Sequence, residues 1–236
     1  MNETVTLSNL SNEEFLAKYA RPGRVGLSGG ITLIDRAIQM AERHVDEKGS
    51  WGKWSHVFLF QGQRADGHHW VIESDLQVIR KHVSLGVQEN RISKYHDDSY
   101  YTWLAVLDFG LEEEQVSALL REGLDLVAGR TRYSLRELAG ALFALRHPQF
   151  RGRGNVLSRD KSLYCSAMVQ YLFRKIGVDL APNLHEKNST PEDISRSPVP
   201  HVTYVLERKV EPGRIAKMAG NLRRRIRARI GKDPRG

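Results

Sequence analysis

Apolar positions along the chain follow two periods, and the switches between them mark the elements. "SNEEFLAKYA" reads as a short helix, with Ser11 and Glu14 spaced as a capping box. "ITLIDRAIQMAERHV" places Ile31, Ile34, Ala37, Ile38 and Ala41 at helical spacing. "WSHVFLFQG" and "HWVIESDLQV" are strand-like runs separated by "QRADGH", whose Asp-Gly predicts a hairpin turn. "VIRKHVSL" and "YYTWLAVLDF" read as two further strands. "LEEEQVSALLREGLDLVAG" is an amphipathic helix ending at Gly129, and "SLRELAGALFAL" is a helix capped by Ser134. A basic loop, "RHPQFRGRGNVLSRDKS", leads to a helix over "SAMVQYLFRKI" that Gly177 stops. In "TPEDISRSP" Thr190 caps a helical turn and Pro191 takes its first position. "HVTYVLER" is the last strand. The pattern predicts one α+β domain over residues 1–207 and an appended tail over residues 208–236.

Composition adds little until charge is located. The 236 residues are 40% hydrophobic and 27% charged, ordinary for a globular chain. Residues 208–236 hold eleven Lys/Arg against two acids, +9, so the other 207 residues sum to −1 of the total +8. A near-neutral body argues against nucleic acid as a partner. In the tail, Ile215, Met218, Ala219, Leu222 and Ile226 fall on one helical stripe beside Arg223, Arg224, Arg225, Arg227 and Arg229. This basic amphipathic helix suits an anionic membrane surface or an acidic protein, or equally a terminal helix docked on its own domain. The polar, acidic N-terminus lacks the pattern of a cleavable signal. With a single cysteine there is no internal disulfide, and a cytoplasmic setting with possible membrane association is the expectation.

That cysteine, Cys165, opens the helix over "CSAMVQYLFRKI". A lone cysteine is ordinarily a small buried hydrophobe. A helix N-terminus, however, favours a thiolate and offers unpaired N–H groups to an oxyanion. The thiolate then needs a histidine. Of the nine histidines, His56 alone starts an apolar strand, sharing a face with Phe58 and Phe60; the turn, loop and proline-flanked ones, His201 among them, read as solvent-facing. Glu73 interrupts the other arm of the hairpin, where a buried carboxylate needs a partner. A hairpin closing about residues 64 and 65 sets His56 directly across from Glu73, and neighbouring registers of the same parity keep both on one face. Either the two form a structural pair or they complete a Cys-His-Glu triad. Two rival sites are weaker. "GLSGG" fits a nucleophile elbow at Ser28, but too few strands precede it, and a helix cap explains Ser28 more simply. His68, His69 and Glu73 lack metal-ligand spacing, so no metal and no other cofactor is expected.

The order "WSHVFLF", "VIES", "TRYSL", "LYCSAMVQYLFRKIG", "TPEDISRSP" resembles the permuted papain-like hydrolases of the NlpC-type superfamily, the group with YiiX-like and lecithin:retinol acyltransferase-like proteins. The resemblance spans roughly residues 20–206. It implies a circularly permuted papain-like fold, with an antiparallel, barrel-like sheet packed on helices. It further implies Cys165 as nucleophile, His56 as base and Glu73 as the residue orienting His56, with Tyr164 and Tyr133 near the site. A peptide, small-molecule or lipid acyl substrate is implied, cleaved or transferred at an amide or ester carbonyl without a cofactor. Where such relatives carry a Gly-Asp pair before the first helix, this chain has "RVGLSGG". The rival expectation is an inactive papain-like module that binds a membrane or acidic partner through the tail.

Overall fold

A computed structural model describes residues 2–30, 52–79, 82–129, 164–185 and 188–208. The helices expected near residues 31–45 and 134–145, the basic loop, Tyr133 and the tail helix fall outside the described residues. In chain order the elements are β1 (Glu3–Leu7), α1 (Asn12–Tyr19), β2 (Val25–Gly30), β3 (His56–Gln63), β4 (His69–Ile79) and β5 (His82–Arg91). A 3₁₀ turn (Ile92–Tyr95) follows, then β6 (Tyr101–Asp108), α2 (Glu113–Ala128), α3 (Cys165–Lys175), α4 (Pro191–Ser195) and β7 (Val202–Leu206).

The strands form one sheet in the order β1-β7-β6-β2-β3-β4-β5. It is open, with β1 and β5 at its edges, and not the barrel-like sheet expected. Nor is it wholly antiparallel, since β1 runs parallel to β7. Both faces are covered, which is why β3 and β6 read as continuous apolar runs. On one face Phe58, Phe60, Val71, Leu104 and Val106 pack with Phe15 and Leu16 of α1 and with Tyr95. On the other, Val57, Leu59, Ile72, Ala105 and Leu107 pack against Leu119 of α2 and Ala167, Met168 and Leu172 of α3. Odd and even positions thus serve different cores, so a one-residue slip would exchange them.

Local chemistry sets the helix ends. Ser11 and Glu14 form the capping box of α1, and Thr190 and Asp193 that of α4, with Pro191 at its first position. After α3, Gly177 turns the chain at φ +80°, a conformation that favours glycine.

Three strand assignments differ from the sequence reading. "VIRKHVSL" is two strands, because β4 ends at Ile79 and β5 begins at His82, with Ile79 and His82 paired. The intervening Arg80-Lys81 carries none of the glycine, asparagine or proline signals of a tight turn. β1 is too short to show a period. β2 is disguised by glycines, and Ser28 lies inside this strand, neither at an elbow nor on a helix cap. A Cβ at Gly26 would collide with the ring of Phe58, its cross-strand partner, so glycine is what lets β2 lie against β3.

Candidate active site

The site is built where β3 begins, β4 passes and α3 starts. The β3–β4 ladder pairs Leu59 with Ile72 and contains a bulge between Phe60 and Gly62. Continued past Leu59–Ile72, this register sets Phe58 across from Glu73, so His56 and Glu73 are diagonal neighbours instead of directly opposed. The hairpin turns later than expected, with Gln63 paired to His69, and the bulge then shifts the register back by one residue. Parity is kept, both side chains share a face, and His56 Nε2 hydrogen-bonds Glu73 Oε2 at 2.7 Å.

Glu73 is fully buried. Four donors surround its two oxygens. Besides His56, Tyr95 Oη donates to Oε2 at 2.5 Å, Asn90 Nδ2 to Oε1 at 2.6 Å, and Lys94 Nζ to Oε1 at 2.8 Å. Lys94 also reaches Asp75 Oδ2 at 2.5 Å. Burial alone would raise the pKa of Glu73. The His56 hydrogen bond and the Lys94 and His56 charges outweigh it and hold the carboxyl well below the usual carboxylate range. Burial likewise opposes the charge on Lys94, but Glu73 and Asp75 raise its pKa. Tyr95 is pushed well above its ordinary value, by burial first and then by Glu73, and stays a neutral donor.

His56 completes the arrangement. Its side chain is 16% exposed, and its ring lies roughly parallel to Phe58 and Tyr95, at 6.0 and 6.5 Å between centroids. Burial disfavours its charge. Hydrogen bonds to Cys165 and Glu73, reinforced by the charges of both, override this and push its pKa up to about 10. Because Nε2 is held by Glu73, Nδ1 is the ring nitrogen left for Cys165.

Cys165 is partly exposed and is the first residue of α3, with Tyr164 as the N-cap. The first bond of the helix runs from Met168 N–H to the Tyr164 carbonyl. The N–H groups of Cys165, Ser166 and Ala167 therefore precede the ladder, at its positive end. The start of α3 is pinned to the chain before α4: Tyr164 Oη and Ser166 Oγ both donate to the Ser189 carbonyl, at 3.1 and 2.8 Å. Tyr164 thus fixes where the helix begins.

Of the residues singled out in the sequence, Cys165, His56 and Glu73 come together, Tyr164 flanks them, and Tyr133 lies outside the described residues. His201, read as solvent-facing, is buried, and its ring nitrogen Nδ1 donates to the Val199 carbonyl at 2.7 Å. Asn90, Lys94 and Tyr95 escaped the sequence reading. Their only signal was alternation along β5, which gives Asn90 the parity of Glu73's partner Gln88. The 3₁₀ turn carrying Lys94 and Tyr95 reads as an ordinary charged loop.

No protein-family model matches the chain, and no curated protein sequence matches it. Among solved structures, the metalloprotein yiiX from Escherichia coli O157:H7 (DUF1105) is similar in fold, with a TM-score of 0.51 and 12% identity. The match covers 81% of this chain and 98% of that one. At that identity the likeness is one of fold.

Proposed function

We propose that the chain is a cysteine-dependent acyl hydrolase or acyltransferase of the permuted papain-like kind, working through Cys165, His56 and Glu73. The observation that carries this reading is that one histidine is hydrogen-bonded to a buried, four-donor carboxylate and interacts with the thiol at a helix start. A structural His–Glu pair has no need of a thiol beside it at a helix start.

The steps follow from the geometry. The Cys165 thiolate, with the His56 imidazolium as counter-ion, attacks a carbonyl carbon, forming a C–S bond while the carbonyl electrons move onto oxygen. The N–H groups at the start of α3 are the donors to that oxyanion. Its collapse breaks the bond to the leaving group, which takes the proton from His56 Nδ1. Water or another acceptor then gives its proton to the now neutral His56 and attacks the thioester, and thiolate and imidazolium are restored. The substrate is an amide or ester of a peptide, a small molecule or a lipid.

The fold neighbour yiiX is described as a metalloprotein. Among the described residues of this chain no group of three or more His, Cys, Asp or Glu is placed to hold a metal ion. The described donor set does not fit one. Among the described residues, too, no helix is long and apolar enough to cross a membrane.

The test is alkylation followed by acyl probes. Iodoacetamide is expected to modify Cys165 rapidly at neutral pH, and His56→Ala to slow that reaction strongly. A panel of activated esters and thioesters, read by mass spectrometry, is expected to leave an acyl adduct on Cys165. A thiol that reacts only after unfolding would overturn the reading.

A further inference from the structure

Glu73 serves two cations at once, and only one of them has to give up its charge. In the acyl-transfer cycle, His56 alternates between imidazolium and imidazole. Each time it hands its proton to a leaving group, a fully buried carboxylate would lose its cation. Such a carboxylate pulls the proton back, because an unpaired buried charge is costly. Lys94 stands on the opposite oxygen, at 2.8 Å from Oε1, while His56 binds Oε2.

We propose that Lys94 is the standing counter-ion of Glu73, and that it allows His56 to release its proton to the leaving group. The proposal rests on the acyl-transfer reading. Lys94 meets no reacting atom, so it is a positioning residue acting through Glu73. Its placement fits the task. It sits on the 3₁₀ turn directly after β5, its neighbour Tyr95 fills the remaining position on Oε2, and Asn90 shares Oε1. Asp75, on the same face of β4, is its second anion at 2.5 Å and draws part of its charge away from Glu73. Among the described residues, the ionisable groups about the proton path are Cys165, His56, Glu73, Asp75, Lys94 and Tyr95, with Tyr101 packed on Tyr95. With the thiolate formed, the two cations face three anions. When His56 becomes neutral, Lys94 is the cation that remains on Glu73.

A structural role for Lys94 would slow every reaction of the site alike. A role in proton release bites only where the leaving group needs the proton. The experiment uses the whole chain and three reagents on Cys165: iodoacetamide, p-nitrophenyl acetate, whose leaving group departs as a stable anion, and unsubstituted phenyl acetate, which leaves less readily without a proton. For Lys94→Met the phenyl acetate rate is expected to fall about tenfold relative to the iodoacetamide and p-nitrophenyl acetate rates, part of the usual worth of general acid catalysis. Lys94→Arg is expected to restore the wild-type ratio of the two esters. Asp75→Asn turns Lys94 wholly on Glu73 and is expected to move the ratio the opposite way, in favour of phenyl acetate. An unchanged ester ratio in Lys94→Met, whether both rates hold or both fall, overturns the proposal. Should Lys94→Met fail to fold by circular dichroism, the Asp75→Asn ratio decides. A wild-type Cys165 inert to all three reagents would sink the acyl-transfer reading itself, and the Lys94 proposal with it.

Discussion

Replacing Tyr95 by Phe removes one hydroxyl and nothing else of size. The ring keeps its stack on Phe58, at 4.1 Å between centroids and 14° between planes, so no cavity opens. What is lost is a donor to a buried, ionised carboxylate, at 2.5 Å. Hydrogen bonds to charged groups contribute about 1.5–3 kcal/mol, and Oε2, left with His56 alone, has no access to water that would make up the loss. The expected cost is therefore about 1.5–3 kcal/mol at pH 7, or roughly 3–12 °C in melting temperature for a chain of this size. Urea unfolding followed by far-ultraviolet circular dichroism measures it, with the slope on denaturant unchanged. In a Glu73→Gln background the same change should cost less by about 1 kcal/mol or more, since no full charge remains to be satisfied. A loss under about 0.5 kcal/mol in the wild-type background would refute the account of Glu73 as a carboxylate held ionised by its donors.

Other outcomes follow from the same structure. The folded pKa of His56, about 10, lies above its ordinary 6.5; its stabilising contribution is therefore full below pH 6.5 and is lost as pH rises through about 10. Nuclear magnetic resonance of the ring should show no titration near 6.5, and a midpoint there would contradict the Cys165–His56–Glu73 arrangement. Gly26→Ala drives a methyl group into the Phe58 ring and should destabilise by about 1–3 kcal/mol in urea, as overpacking does; a neutral result would mean that Phe58 yields freely. Deleting residues 209–236 should abolish salt-sensitive binding to anionic vesicles and leave Cys165 alkylation intact, and vesicle binding untouched by the deletion would remove the tail as an anchor.

Cys165, His56 and Glu73 were legible in the sequence but the groups that support them were not, for a physical reason. Cys165, His56 and Glu73 each break a local rule: a polar group on an apolar strand, a carboxylate in a buried run, a thiol at a helix start. Violations of pattern are visible one residue at a time. Lys94, Tyr95 and Asn90 break no rule where they stand, and only the β4–β5 pairing and the turn after it carry them to Glu73. The diagonal offset of His56 and Glu73 comes from a turn placed later than its Asp-Gly signal suggests, and the bulge at Phe60/Gly62, which no residue pattern announces, restores their common parity. β2 was illegible because glycine breaks its apolar pattern, and at Gly26 that glycine answers the bulk of a ring on another strand. The open sheet was illegible because β1 and β7, whose parallel pairing ends it, lie about 200 residues apart in sequence.

That last pairing has a mechanical meaning. Glu3 lies beside Val202 and Leu7 beside Leu206, so the chain enters the ladder at one end and leaves it at the other. Tension applied between residue 2 and residue 208 pulls the two strands past each other and loads all their bonds together, whereas an antiparallel hairpin pulled at its open end peels one bond at a time. Arg208 reinforces the exit, gripping Asp98 and Asn12 at 2.8 and 2.6 Å. Resistance to such a pull is set by the rate of unfolding under load. A chain held by the segment after residue 208 would meet that load along the direction in which its sheet yields last, with β3, β4 and β5 on the far side of the sheet from the strain.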